Sequence, residues 1–168
     1  MLTRITYEYE NPETGIGELK DAIVQSINAM IAEVCLEASV DKEEIREIHV
    51  AANCTMTHML LGVDARSIGR APYKPAFKEA RELAASEIGI LAGEDTRLYC
   101  LPQVSGYIGA DIVAGAYVCQ LQKEPGNVLF IDIGTNGEIV LASHGRLLCC
   151  SCAAGPALEG MNISLSLI

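Results

Sequence analysis

The chain has 168 residues, with 12 basic against 22 acidic side chains for a formal net charge of −10, and half of it is hydrophobic. That length supports one ordinary domain or two small lobes with a real core, and the apolar content excludes a disordered chain. Acidity of this degree excludes a general nucleic-acid binder, which would repel phosphates. No uncharged apolar run is long enough to suggest a membrane span, and Met1-Leu2-Thr3-Arg4 lacks an apolar signal region, so the expectation is a cytoplasmic protein.

Residues 1–10 alternate loosely and leave helix or strand open, and Asn11 to Gly17 reads as a turn. An amphipathic helix is predicted over about 17–39, with Leu19, Ile23, Ile27, Met30, Ile31 and Val34 at helical spacing. Asp41 opens a short turn, Ile45 to Ala52 is a strand, and Asn53 to Leu61 is a helix stopped by Gly62. Residues 62–77 are irregular, with Pro72 and Pro75. The spacing of Phe77, Ala80, Leu83, Ala84 and Ile88 predicts a third helix over 77–89. Thr96 to Leu101 is a strand, and 107–121 is a helix whose Ala110, Ala114 and Gly115 favour close packing.

The pattern then changes. Val128 to Ile133, Glu138 to Ala142 and Arg146 to Cys152 read as three strands. They are joined at Gly134-Thr135-Asn136-Gly137, where Asn-Gly is a hairpin signal, and at Ser143-His144-Gly145. Ala154-Gly155-Pro156 turns into a short helix. Strand–helix alternation followed by a β-meander indicates a mixed α/β sheet. Charge follows the same division: residues 1–100 carry 10 basic and 17 acidic residues, and 101–168 only 2 and 5.

The seven cysteines are odd in number and mostly sit in apolar runs, as small reduced core residues do. Strand alternation would turn Cys149 away from Cys150 and Cys152, which argues against a metal or iron–sulfur site. No cluster and no disulfide framework is expected.

The most informative segment is Phe130-Ile131-Asp132-Ile133-Gly134-Thr135-Asn136-Gly137-Glu138-Ile139. A carboxylate, Asp132, ends an apolar strand and is followed by a glycine-bracketed turn. Such a turn aims backbone N–H groups and a hydroxyl at phosphate oxygens, with Asp132 placed to hold Mg²⁺. A plain hairpin, with Asp132 bonded to nearby N–H groups, is the alternative reading of the same residues.

This string resembles the phosphate loop of the superfamily that unites acetate and sugar kinases, heat-shock proteins and actin. Four further strings narrow the resemblance. Ala52-Asn53-Cys54-Thr55-Met56-Thr57-His58-Met59-Leu60-Leu61-Gly62 is similar to G-N-x-x-M-x-H-L-L-L-G, with Ala52 in place of the glycine. Pro72-Tyr73-Lys74-Pro75 fits Pro-Tyr-x-Pro, and Leu101 to Asp111 fits L-P-x-x-x-G-x-x-G-A-D. Ala153-Ala154-Gly155-Pro156-Ala157-Leu158-Glu159-Gly160 is similar to A-A-G-P-A-F-E-G. Together they resemble the C-terminal ATPase domain of reductive activators of corrinoid proteins, over about residues 2–163.

The resemblance implies an α/β fold, part of an actin-like, ribonuclease H-like ATPase domain. Residues 1–122 would be the end of one lobe and 123–168 the start of the next. It implies ATP with Mg²⁺ as ligand, a corrinoid protein as partner, and an uphill electron delivered from an iron–sulfur domain to restore cobalt(I). Asp132, Gly134, Thr135, Asn136, Gly137 and Glu138 would clamp phosphate, with Gly155, Pro156 and Asp111 near the cleft and Asp132 on the metal. The family's earlier Asp-x-Gly-Thr-Thr loop has no counterpart, so the chain resembles an internal fragment, expected to hydrolyse ATP weakly alone and to self-associate. Competing readings are a non-catalytic dimerisation module, a small-molecule kinase of the superfamily, and a degenerate remnant. Asp111 is equally a helix-start carboxylate, and His58, on an apolar helix, reads as a core or interface residue.

Overall fold

The structure, a computed structural model, describes residues 2–134 and 136–153. It divides into two compact units, residues 1–113 and 114–168.

In the first unit, helix α1 (Leu2–Glu10) turns tightly into α2 (Gly15–Ala38). The loose alternation of residues 1–10 resolves as a helix because Ile5 and Glu8, three apart, are the residues that bury. Gly15 eases the corner: an added Cβ would stand 3.2 Å from Asn11 Cβ and 3.3 Å from Glu8 Cα and the Tyr7 carbonyl oxygen, tighter than ordinary contact. At the far end of α2, Ser39 takes a left-handed φ of 54°, and the Val40 N–H bonds the Cys35 carbonyl, closing the last turn.

A three-stranded sheet of order β1-β3-β2 forms from β1 (Glu47–Val50), β2 (Arg81–Ala84) and β3 (Arg97–Cys100). Strands β1 and β3 run parallel, and β2 is antiparallel to β3 with Leu83 opposite Leu98. The helix predicted over 77–89 is therefore not formed. Residues 81–84 are strand and Ala85–Ile88 is one 3-10 turn, started by the Ala84 N–H on Glu87 Oε1 (2.8 Å) and stopped at Gly89 (φ 92°). The open edge of β3 pairs with this segment, and the ladder outweighs the helical spacing. Ile23, Ile27 and Ile31 of α2 pack on the core made by Val24, Leu60, Ala85, Ile88, Ile90, Leu98 and Cys100.

Helix α3 (Cys54–Leu60) is capped by Asn53, whose Oδ1 accepts the Met56 N–H at 3.0 Å, and it ends before Gly62 (φ 65°). Its inner face joins Ile5, Ala65 and Ile68 in a second core cluster. Helix α4 (Ala110–Val118) is shorter than the predicted 107–121.

In the second unit, β4 (Asn127–Ile133), β5 (Asn136–Ser143) and β6 (Arg146–Ala153) form an antiparallel meander of order β4-β5-β6. Gly115 lets α4 approach it: an added Cβ would stand 2.6 Å from the Phe130 ring. Val140 and Ala142 are buried on the same face as Phe130, whereas Leu129, Ile131, Ile133 and Leu148 on the opposite face are all more than half exposed.

Two expectations need correction here. Asn136-Gly137 is not the centre of a turn: both residues already belong to β5, with Gly137 opposite Ile133. The tight turn with two positive φ values is His144-Gly145 (49° and 76°). The cysteines also divide. Cys54 and Cys100 are buried, but Cys119, Cys149, Cys150 and Cys152 are exposed. Among the described residues strand β6 is bonded on one side only, and Cys150 and Cys152 lie on the uncovered face.

Candidate functional site

The β4–β5 hairpin gathers five of the predicted site residues. Asp132 is the last half-buried position of β4 before the reversal, on the face that carries Phe130. Register places it directly opposite Glu138. Opposed residues of an antiparallel pair share a face, so two carboxylates stand side by side, an arrangement that costs stability unless something cationic offsets it. Glu138 Oε1 accepts the Ser151 hydroxyl at 3.0 Å, which aims one carboxylate from the adjoining strand. Ser151 is a residue that motif reading missed. Strand alternation, counted back from the His144-Gly145 turn, would have placed it opposite Glu138.

Gly134 and Asn136 close the reversal through a Gly134 N–H to Asn136 carbonyl bond of 2.9 Å. Among the described residues, a Cβ at Gly134 would meet nothing nearer than the Asn136 carbonyl oxygen at 3.7 Å. Gly137 continues into β5 as a paired residue. Thr135, Gly155 and Pro156 lie outside the described residues.

Asp111 belongs to the first unit, at the start of α4. Its Oδ1 accepts the Ile112 N–H at 2.9 Å, and the Ala110 N–H donates to the Ala52 carbonyl at 2.9 Å. The starts of α3 and α4 meet at Gly109, where a Cβ would lie 2.6 Å from Asn53 Cα and 2.8 Å from Cys54 N. Burial, helped by the Asp111 charge, pushes the Cys54 thiol up to about 12, so it stays protonated and inert.

His58 is buried and fully engaged. Nε2 accepts the Ala76 N–H at 3.1 Å, so Nδ1 carries the proton and donates to the Cys54 carbonyl at 2.8 Å. Its ring stacks on Phe77 at 4.4 Å. Burial, with the Arg81 charge, holds its pKa below the ordinary imidazole range. This is a structural pin between α3 and the segment after Pro75, as a core reading requires.

The residues fit Mg²⁺ by donor chemistry: two hard carboxylates opposed across one ladder position are what an oxygen-seeking cation accepts. Among the described residues no group of three or more His, Cys, Asp or Glu side chains is arranged to hold a metal ion by itself. A cation there would take part of its ligand set from water or phosphate.

The family described as "RACo middle region" matches residues 1–124, and that described as "C-terminal domain of RACo the ASKHA domain" matches residues 126–167. The chain belongs to the RACo family, the reductive activators of corrinoid proteins. It is similar to the corrinoid activation enzyme RamQ of Eubacterium limosum, 30% identical over 167 residues, which are 99% of this chain and 28% of RamQ. It is also similar to the [Co(II) methylated amine-specific corrinoid protein] reductase of Methanosarcina barkeri, 26% identical over 164 residues, 92% of this chain and 30% of that protein. A solved structure of a reductive activator for corrinoid, iron–sulfur protein superposes with a TM-score of 0.90 at 41% identity, covering 97% of this chain and 26% of that one. The expected α/β, actin-like fold is thus the fold of this RACo chain, which spans less than a third of the length of these relatives. No helix among the described residues is long and apolar enough to cross a membrane.

Proposed function

We propose that the chain is the part of an ATP-dependent reductive activator in which the first lobe ends (1–122) and the second, phosphate-binding lobe begins (123–168), and that it serves to restore cobalt(I) in a corrinoid protein of the cytoplasm. The observation that carries the reading is the β4–β5 hairpin, with Asp132 opposite Glu138 next to a glycine-bearing reversal, in a chain of the RACo family.

In this reading Asp132 and Glu138 hold Mg²⁺, with Ser151 steering Glu138. The backbone from Gly134 to Gly137 and the Thr135 hydroxyl serve the phosphates, with Gly155 and Pro156 assigned to the same role. Bound Mg²⁺ would offset the phosphate charge that the two carboxylates otherwise repel. The chain's −10 charge disfavours a free anion in the same direction, so nucleotide binding requires the metal. Half a cleft orients one side of the nucleotide only, so turnover by the chain alone is slow. The uncovered apolar face of the meander gives the chain a reason to self-associate.

An NMR titration tests this. Mg²⁺–ATP should shift amides over 132–138, with affinity near millimolar, worth about 4 kcal/mol. ATP without Mg²⁺ should shift them far less, and Asp132→Asn should abolish the difference. Shifts elsewhere, or equal with and without Mg²⁺, would leave the segment a plain hairpin.

A further inference from the structure

Charge is strongly segregated in this chain. Residues 66–81 hold five of its 12 basic residues (Arg66, Arg70, Lys74, Lys78, Arg81) and one acidic residue, Glu79, while the remainder carries seven basic against 21 acidic. Asp64 pairs with the Arg66 guanidinium through two bonds near 3 Å at Nε, and Arg81 lies over the Phe77 ring at 4.7 Å. Arg70, Lys74, Lys78 and Arg81 are all exposed.

Aromatic rings stand among them. The Arg70 guanidinium lies 4.9 Å over the Tyr9 ring, and Tyr9 donates to the Arg66 carbonyl at 2.8 Å. Tyr73 and Tyr107 meet edge to face at 5.5 Å. Tyr9, Tyr73 and Tyr107 all keep more than a third of their surface in water. The loop is held in place: the Tyr73 N–H bonds the Arg70 carbonyl at 2.7 Å, and the Ser67 hydroxyl donates to the Lys74 carbonyl at 2.6 Å.

Tyr73 has φ 59°, the left-handed region where a bulky residue is an outlier and glycine is the unstrained choice. Its carbonyl presses against Gly106, where an added Cβ would come within 2.7 Å. The fold thus accommodates backbone strain at a position whose side chain is half in solvent. Strain kept at an exposed aromatic points to a use for the ring outside the fold.

We propose that Tyr9, Arg70, Tyr73, Lys74 and Tyr107 form a docking surface for an acidic face of a partner protein. The chemistry is that of a protein interface: rigid tyrosines supply amphipathic contact area at low entropic cost, and arginine and lysine beside them select an acidic partner and steer its approach. The surface lies wholly within residues 1–113, and the proposal does not depend on nucleotide binding at the hairpin.

The test uses the full chain and three fluorescein-labelled probes: a peptide of alternating glutamate and leucine, the same peptide with glutamine for glutamate, and a single-stranded oligonucleotide. The glutamate peptide should bind, weaken steeply with salt, and outcompete the glutamine peptide. Arg70→Glu and Lys74→Glu should each weaken it at least about ten-fold. Tyr73→Gly separates binding from folding. It relieves the strained φ, so the unfolding temperature should hold or rise, while binding falls about ten-fold. Equal binding of the two peptides, binding that ignores the charge reversals, or a Tyr73→Gly chain that binds normally would overturn the proposal. So would tighter binding of the oligonucleotide through the same residues, which would make this a nucleic-acid surface. Self-association lost on Arg70→Glu would put a second copy in the partner's place and overturn it as well.

Discussion

Two glycine-to-alanine substitutions test how the fold is held, because the structure gives them opposite signs. At Gly109 the new Cβ would lie 2.6 Å from Asn53 Cα, 2.7 Å from Asp111 Oδ1 and 2.8 Å from Cys54 N. Carbon contacts sit comfortably at about 3.5–4.0 Å, so the starts of α3 and α4 must part by roughly 1 Å. Two of the three neighbours are backbone and cannot rotate away. Overpacking of this kind costs about 1–3 kcal/mol. Separation also stretches the 2.9 Å bond from the Ala110 N–H to the Ala52 carbonyl, worth about 1 kcal/mol. The expected loss is ~2–4 kcal/mol, or roughly 5–15 °C in Tm at this chain length. At Gly17, in the first turn of α2, an added Cβ meets nothing within 4 Å among the described residues. Alanine there removes the backbone entropy cost of a helical glycine and should stabilise by about 0.5–1 kcal/mol. Circular dichroism during thermal and urea unfolding reads both. A Gly109→Ala chain as stable as the parent would show that α3 and α4 do not meet at Gly109, and the placement of Asp111 would fall with it.

Three other outcomes are expected. The pKa of folded His58 is held below that of an unfolded imidazole, by burial first, so the neutral ring stabilises the fold above pH about 6.5. That contribution is lost as pH falls below this value. A His58→Phe chain should therefore show a flatter Tm between pH 7 and pH 5, at about 1.4 kcal/mol per pH unit less slope at most. Glu8 is buried with Oε2 on the Ala65 N–H at 3.0 Å and, among the described residues, no partner on Oε1; burial raises its pKa, so its penalty appears as pH rises through the folded value. Glu8→Gln should raise Tm at pH 8, by on the order of 1 kcal/mol, and the gain should shrink toward pH 4; a constant difference would contradict it. Light scattering should show self-association that Leu148→Glu, on the uncovered meander face and away from the β4–β5 reversal, reduces without disturbing Mg²⁺–ATP shifts; a concentrated monomer would argue against the oligomer.

Most elements were legible because each rests on a local cause. Helix α2 follows from its isoleucine spacing, α3 from the Asn53 cap and Gly62, and the meander from alternation between turn residues. The failures have a common origin in partners remote in sequence. Residues 81–84 have helical spacing, but strand β3 offered an unfilled edge. Residues 2–10 look alternating, but the buried pair Ile5 and Glu8 is fixed by contact with the segment around Ala65, sixty residues away in round terms. Asn136-Gly137 carries a turn signal, but pairing with Cys152 and Ala153 of β6 draws both residues into the sheet. Exposure of the cysteines on β6 was not readable either. An apolar run says that a residue suits burial, and only the layers present decide whether it is buried.

The candidate site was legible to a different depth. The string from Phe130 to Ile139 identifies a strand, a reversal and a second strand. What it cannot give is register, because a shift of one residue would turn one carboxylate to the other side. Register comes from the whole ladder, Asn127 opposite Ser143 through Ile133 opposite Gly137. The Ser143 hydroxyl fixes one end by donating to Asn127 Oδ1 at 2.7 Å, and the Ser151 hydroxyl pins Glu138 from β6. The same alternation that sets Asp132 toward Phe130 sets Ile131 and Ile133 toward the uncovered face. Placement of the carboxylates and covering of those isoleucines are therefore one structural problem: whatever packs on Leu129, Ile131 and Ile133 also fixes the twist of the strands that carry Asp132 and Glu138.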